Sequence, residues 1–369
     1  MIDIGSGLAS RPVGRSIAAF ALVASLSVVA GSADTATAAA DVCELTKEEL
    51  TITDLPAGRS VIKCDAVGRV VTYEGTGVTV PEPGTAVTVD ALSVDGESHG
   101  FTMEVDSNGI VSYDLSEADS ADASTVGSDI TDNATPPEGA PSEESDSVDA
   151  DASDTGTGAE LAEYDVTSSP SACNDGTYST ADRKEYGTYE WYVGDGGMPA
   201  GLSQENAKWA FWDAIDNITE SYNNCGYSDQ VGAEMNYRGP TAREANINSS
   251  NSCTSRDSMS TWDAGNLKDR TVALTCSWTW PMPGVKNDLR EADVRFNTTE
   301  NDFTNKPTSS CVGKIDLRSV ATHEAGHVFG LKDLYGSDEN LTMYGESFFC
   351  STKARTLGKG DVLGLRSIY

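Results

Sequence analysis

The segment His323-Glu324-Ala325-Gly326-His327-Val328-Phe329-Gly330-Leu331-Lys332-Asp333 concentrates side chains that ligate metals and move protons. On a helix, residues four apart project from one face, a turn from each other. Two imidazoles at that spacing, His323 and His327, can share one Zn2+. Such a helix should stop at Gly330, because glycine takes the left-handed backbone that ends a helix and turns the chain sharply. That turn can swing Asp333 back toward the metal as a third ligand. Three protein ligands leave a fourth position for water, which is the pattern of a catalytic rather than a structural zinc site. Glu324, beside the first ligand, is the natural general base. Zinc lowers the pKa of its water to roughly 7 and polarises a carbonyl. Glu324 would take the proton as that water attacks a peptide carbonyl and carry it to the leaving amine.

The plain alternative is a helix with two surface histidines and a glutamate, since a bare HExxH arises by chance. The chain has only three histidines, however, and two of them make the motif. Gly330 and a metal-capable residue follow at the extended spacing, and Met343 follows in turn. The third histidine, His99, reads as a surface residue of the N-terminal part.

A helix over about 316–329 must carry these groups. Leu317, Ala321, Ala325 and Val328 form a separate apolar stripe, so the helix can bury one face and still present both histidines to a cleft. An earlier helix begins after Ser203 as N-cap, with Ala207, Phe211, Ile215, Ile218 and Tyr222 at helical spacing. A third closes the chain from about Lys359 to Ile368. Strand-like runs include Val272–Cys276 and Ala292–Phe296. Three helices with intervening strands give an α+β class.

Composition divides the 369 residues into parts. Arg11 and Arg15, an apolar run from Ile17 to about Ala30 and the small residues Ala38-Ala39-Ala40 read as a secretory signal over 1–40. The run is too short and too diluted by serine and glycine for a membrane span, and stable membrane insertion is not expected. Residues 41–116 form a small β-rich domain of alternating β-branched runs, Arg69–Tyr73 and Thr85–Val89, separated by Gly, Pro and Asp-Gly turns. Residues 117–168 hold no Lys or Arg and almost no large apolar side chains, so they read as a disordered acidic linker open to proteolysis. Residues 169–369 hold all six tryptophans and form the main domain. The 58 acidic against 25 basic residues exclude nucleic acid as a partner and fit a protein that can hold Ca2+, although no clean calcium loop is visible. Eight cysteines in an exported chain imply disulfides. Two precede the linker and six follow, so each side can pair internally; Cys43–Cys64 is the simplest pair.

The stretch from His323 to Asp333 resembles the extended zinc motif of metzincin metalloproteases. Leu341-Thr342-Met343-Tyr344-Gly345 resembles their Met-turn, and its Met-Tyr pair is most like the matrixin branch. Glu291–Asn297 resembles the matrixin edge strand against which substrate lies, and Gly360–Tyr369 their closing helix. The likeness covers roughly 185–369. It implies a twisted mixed sheet with three helices, a zinc held by His323, His327 and Asp333, a packing role for Met343, and secreted endopeptidase activity on protein or peptide substrates. Matrixins usually place a third histidine where this chain has Asp333; there it is similar to the snapalysins. No cysteine-switch motif is visible, although Cys173 lies near the boundary where such a residue would cap the zinc.

Two other functions compete. In a gluzincin a downstream glutamate would be the third ligand, and Glu346 is the nearest. A surface-binding protein on an inactive protease scaffold would lack a base or a ligand, yet Glu324 and all three ligands are present. The N-terminal domain is either a propeptide that acts as the protease's own inhibitor or a retained binding module, and the cleavable linker after it favours the first.

Overall fold

A computed structural model describes residues 43, 45–96, 100–115, 171–195, 197–268 and 270–369. The signal-like segment 1–40, the whole acidic stretch 117–168, and His99 lie outside the described residues. Cys43–Tyr369 is one compact unit.

Among the described residues, ten strands have four or more residues. The first five are β1 (Val70–Tyr73), β2 (Thr76–Thr79), β3 (Thr85–Ser93), β4 (Phe101–Val105) and β5 (Val111–Leu115). After the undescribed stretch come β6 (Thr188–Val193), α1 (Gln204–Thr219), β7 (Glu234–Pro240), β8 (Ser260–Gly265), β9 (Thr271–Trp280) and β10 (Asn287–Asn297). The helices α2 (Leu317–Val328) and α3 (Lys359–Ile368) complete the chain. The class is α+β, with three α-helices among the described residues.

One large sheet runs in the order β5-β4-β3-β9-β10-β8-β6-β7. Strands β10, β8, β6 and β7 are parallel neighbours, while β9 is antiparallel to both β10 and β3. Strands β8 and β10 are buried along most of their length, whereas β6 alternates between exposed and buried residues and β7 is half-exposed at the sheet edge. A smaller sheet joins β1 and β2 to the short pieces Ser252–Cys253 and Ile247–Asn248.

Glu291–Asn297, expected at a sheet edge, instead lies inside the sheet in β10, between β9 and β8. The antiparallel strand is β9, and its outer edge is taken by β3. Alternation and burial do not distinguish an inner strand from its neighbour, because nine of the ten residues of β9 are buried as well.

Helix α1 begins as its sequence demands. Ser203 Oγ accepts the Asn206 N–H at 3.3 Å, a standard N-cap. Ala207, Phe211, Ile215 and Ile218 are buried, but Tyr222 is 43% exposed. Ser221 takes a left-handed φ of 51° just past the helix end, so Tyr222 loses the helical register. Phe211 stacks on Phe296 of β10 with ring centroids 5.1 Å apart, fixing α1 to the sheet.

Two cores result. The main one lies between the sheet and the three helices and includes Trp262, Phe211, Phe296, Val320 and Phe329. The other packs Val71, Val78, Phe101 and Met103 against Ile247, Leu267, Leu274 and Trp278. The small core foreseen for 41–116 is therefore shared with later parts of the chain. The disulfides are Cys43–Cys64, Cys173–Cys225, Cys253–Cys276 and Cys311–Cys350, with no free cysteine among the described residues. Cys173 is thus bonded to Cys225 and is not a zinc cap. No described helix is long and apolar enough to cross a membrane.

The Phe211→Ala variant removes a fully buried ring from the α1–sheet contact. Unfolding by denaturant should show a loss of about 3–5 kcal/mol; a loss under 1 kcal/mol would mean that the contact does not anchor α1.

Candidate metal centre

Helix α2 is defined at both ends by local chemistry. Asp316 caps the start, accepting the Ser319 N–H at 3.0 Å, and is itself held by Arg355 at 2.8 Å. At the other end Gly330 has φ 97°. Its N–H donates to His327 O at 3.0 Å, and the Leu331 N–H reaches back to Gly326 O at 2.9 Å. This is the paired-bond stop that a left-handed glycine permits. A side chain at 330 would also strike the Arg183 carbonyl, 2.7 Å from an ideal Cβ.

The reversal brings Asp333 to the histidines. His323 Nε2 and His327 Nε2 are 3.1 Å apart, and Asp333 Oδ1 lies 3.1 Å from the first and 3.3 Å from the second. Zinc–ligand bonds of about 2.0–2.1 Å in tetrahedral geometry separate ligand atoms by about 3.3–3.4 Å. The observed triangle matches that spacing within a few tenths of an ångström, so the residues fit the ion. Among the described residues, these three form the group of metal-capable side chains; Glu346 is not part of it. It pairs with β3 through a bridge to Ser93.

Hydrogen bonds fix which nitrogens face the centre. His323 Nδ1 lies 2.9 Å from Thr342 O, and His327 Nδ1 lies 3.1 Å from Leu331 O. Carbonyl oxygens only accept, so each Nδ1 carries its proton and donates it. Each Nε2 then turns a lone pair toward the other and toward a carboxylate oxygen. Such second partners are what metal-binding histidines require. Burial alone would lower the His327 pKa, but the Asp333 carboxylate outweighs it, and the imidazole is pushed up to about 10. Burial would raise Asp333, but His327 and His323 hold it well below the usual carboxylate range. The centre draws positive charge, as a proton or a metal ion.

Glu324 is fully buried beside the centre. One carboxylate oxygen, Oε2, accepts the Thr275 hydroxyl of β9 at 2.5 Å, while Oε1 has no hydrogen-bond partner. Burial raises its pKa, with His327, His323 and the Thr275 bond opposing. A raised carboxylate pKa suits a group that takes and returns protons near neutrality.

Met343 sits beneath α2. A Cβ built at Gly326 would lie 2.2 Å from Met343 Sδ, so the glycine inside the motif makes room for the sulfur. Asp361 at the start of α3 accepts the N–H groups of Gly358, Thr342 and Met343 at 2.8, 2.9 and 3.2 Å. It therefore holds the turn whose Thr342 carbonyl orients His323.

The sequence placed His323, Glu324, His327, Asp333, Gly330 and Met343, and the fold brings all six into one region. It assigned no role to Thr275, Gly326, Asp361 or Arg183. An acidic residue three positions after Gly358 signals a helix start, which was a findable clue to Asp361. Arg183 is 2% exposed; its guanidinium donates to His327 O and, at 2.8 Å, to Asp90 of β3. Nothing local marks that pairing, which joins segments far apart in sequence. Comparison with known protein families gives no match, and neither does comparison with curated proteins.

Two measurements test this construction. Asp361→Ala should weaken zinc affinity by roughly 10–100-fold in a competitive chelation titration; unchanged affinity would remove Asp361 from the support of the site. Asp338, between Asp333 and Met343, is pushed up to about 6, first by burial and then by the Asp175 carboxylate. Its folded pKa exceeds the ordinary 3.8, so the stability it contributes is full below 3.8 and lost as pH rises toward 6. Asp338→Asn should therefore gain melting temperature over the parent as pH climbs through that window. A constant difference from pH 3.5 to 7 would contradict the shift.

Proposed function

We propose that the chain is an exported zinc endopeptidase of the metzincin type, with His323, His327 and Asp333 as ligands and Glu324 as general base. The observation that carries this reading is the triangle of Nε2, Nε2 and Oδ1 atoms 3.1–3.3 Å apart, with an unpartnered buried carboxylate oxygen beside it. A zinc ion held there would supply Lewis acidity and an acidified water. Glu324 Oε1 takes a proton from the attacking water, and Thr275 keeps Oε2 fixed while it does so. The same carboxyl then gives the proton to the leaving amine nitrogen. Gly330 and Asp361 act earlier, by placing the ligands. Four disulfides support folding in an oxidising compartment, in keeping with export.

The alternative of an inactive scaffold has no missing group to support it, and a gluzincin needs Glu346 at the centre. Asp333→Ala should abolish stoichiometric zinc binding, whereas Glu346→Ala should leave it intact; the reverse pattern would transfer the third ligand to Glu346.

Glu324→Ala should retain one zinc per chain and lose roughly 10²–10⁴-fold in hydrolysis of casein by the activated protein. A chelator should remove activity from the parent, and added zinc should restore it. Equal hydrolysis by parent, variant and chelated protein would end the metalloprotease reading.

A further inference from the structure

The loop from Asp333 to Met343 joins the third ligand of the metal centre to the turn beneath it. Alongside runs the segment 171–180. The two are held together at one end, where the Lys332 N–H donates to Ser179 O at 3.0 Å and Thr180 forms an antiparallel bridge with Leu331. The start of the segment is fixed separately. Cys173 is bonded to Cys225, and the Lys359 N–H of α3 donates to Ala172 O at 2.8 Å.

Between these anchors two carboxyl groups meet. Asp175 is 4% exposed. Its Oδ1 accepts the Thr177 N–H at 3.0 Å, but its Oδ2 is buried with no hydrogen-bond partner. The half-buried Asp338 carboxyl stands within hydrogen-bond reach of Asp175, with the Ser337 and Thr177 side chains beside it. Two ionised carboxylates only accept, so neither can satisfy the other. A buried carboxylate without a partner is costly.

Either a shared proton or a cation relieves that cost. Asp338 is pushed up to about 6, first by burial and then by Asp175, so above neutrality the proton is mostly gone. A cation serves there. The donors are carboxylate and hydroxyl oxygens, with no histidine or cysteine among them, and hard ions take that set. Ca2+ accepts six to eight oxygens in flexible geometry and completes its shell with water, whereas Mg2+ demands a near-ideal octahedron. Two separate segments of chain suit the more tolerant ion.

We propose that Asp175 and Asp338, with the Ser337 and Thr177 oxygens, bind one Ca2+ that fastens the loop carrying Asp333 to the segment 171–180. The carboxylates come from opposite ends of the main domain, so no calcium loop marks them in the sequence. The acidic segment 117–168 contributes nothing to this place. With the ion bound, the chain between Asp333 and Met343 is anchored at its middle as well as at its ends. Calcium binding here does not require the protease reading.

The test uses the full chain carrying one zinc, freed of calcium by dialysis and held slightly above neutral pH. Calcium binding is measured by titration calorimetry, and melting temperature is read with and without calcium. The parent should bind one Ca2+ per chain with Kd of about 10⁻⁴–10⁻³ M, the range of extracellular modules. Its melting temperature should rise by about 3–6 °C at roughly 10 mM calcium. Asp338→Asn should lose about tenfold or more in affinity and most of that rise, at unchanged zinc content. Asp175→Asn should do the same; if it fails to fold, Asp338→Asn decides. Glu339→Gln, the next acid on the loop, should bind calcium as the parent does. No calcium binding by the parent would leave a shared proton and overturn the site. Equal binding by Asp338→Asn and the parent would place the ion elsewhere, and equal stabilisation by magnesium would overturn the calcium assignment. Peptidase activity enters none of these readouts, so failure of the protease reading leaves the result standing.

Discussion

Two imidazole lone pairs and a carboxylate oxygen converge within 3.1–3.3 Å of one another in a buried space. Without positive charge between them, that convergence is repulsive and costly. Both Nδ1 protons are already committed to the Thr342 and Leu331 carbonyls. The arrangement therefore makes physical sense around a cation, and the surrounding chain can be understood as what holds three electron-rich atoms together.

That support comes from three directions. The glycine stop of α2 returns Asp333 to its own helix. The Asp361 carboxylate gathers three backbone N–H groups and so fixes the turn carrying Thr342 and Met343. From the sheet, Thr275 of β9 reaches Glu324, and Arg183 ties the His327 carbonyl to Asp90. Removing any one of these supports loosens His323, His327, Asp333 or Glu324 without deleting the side chain itself.

Much of this was legible in the sequence because it is local. A spacing of four on a helix, a glycine after it and a carboxylate three residues later are enough to bring His323, His327 and Asp333 together. The extents of all three helices follow from caps and periodicity, with Tyr222 lost only because Ser221 breaks the register. What the sequence could not disclose depends on long-range pairing. Glu291–Asn297 reads as an edge strand only by resemblance, yet β10 is paired on both sides, with β9 and with β8. The run from Thr85 read as part of a separate β domain, yet β3 completes the main sheet beside β9. Strand partners are chosen by register and shared core, and neither leaves a mark in a single run of residues.

The central claim is that this triangle is a zinc site with a carboxylate in it. X-ray absorption at the zinc edge on the purified protein tests it most directly. The account predicts one zinc per chain with only nitrogen and oxygen neighbours at about 2.0–2.1 Å, two of them imidazole, and loss of one oxygen neighbour in Asp333→Asn. A sulfur shell near 2.3 Å, or a spectrum unchanged by that substitution, would contradict it.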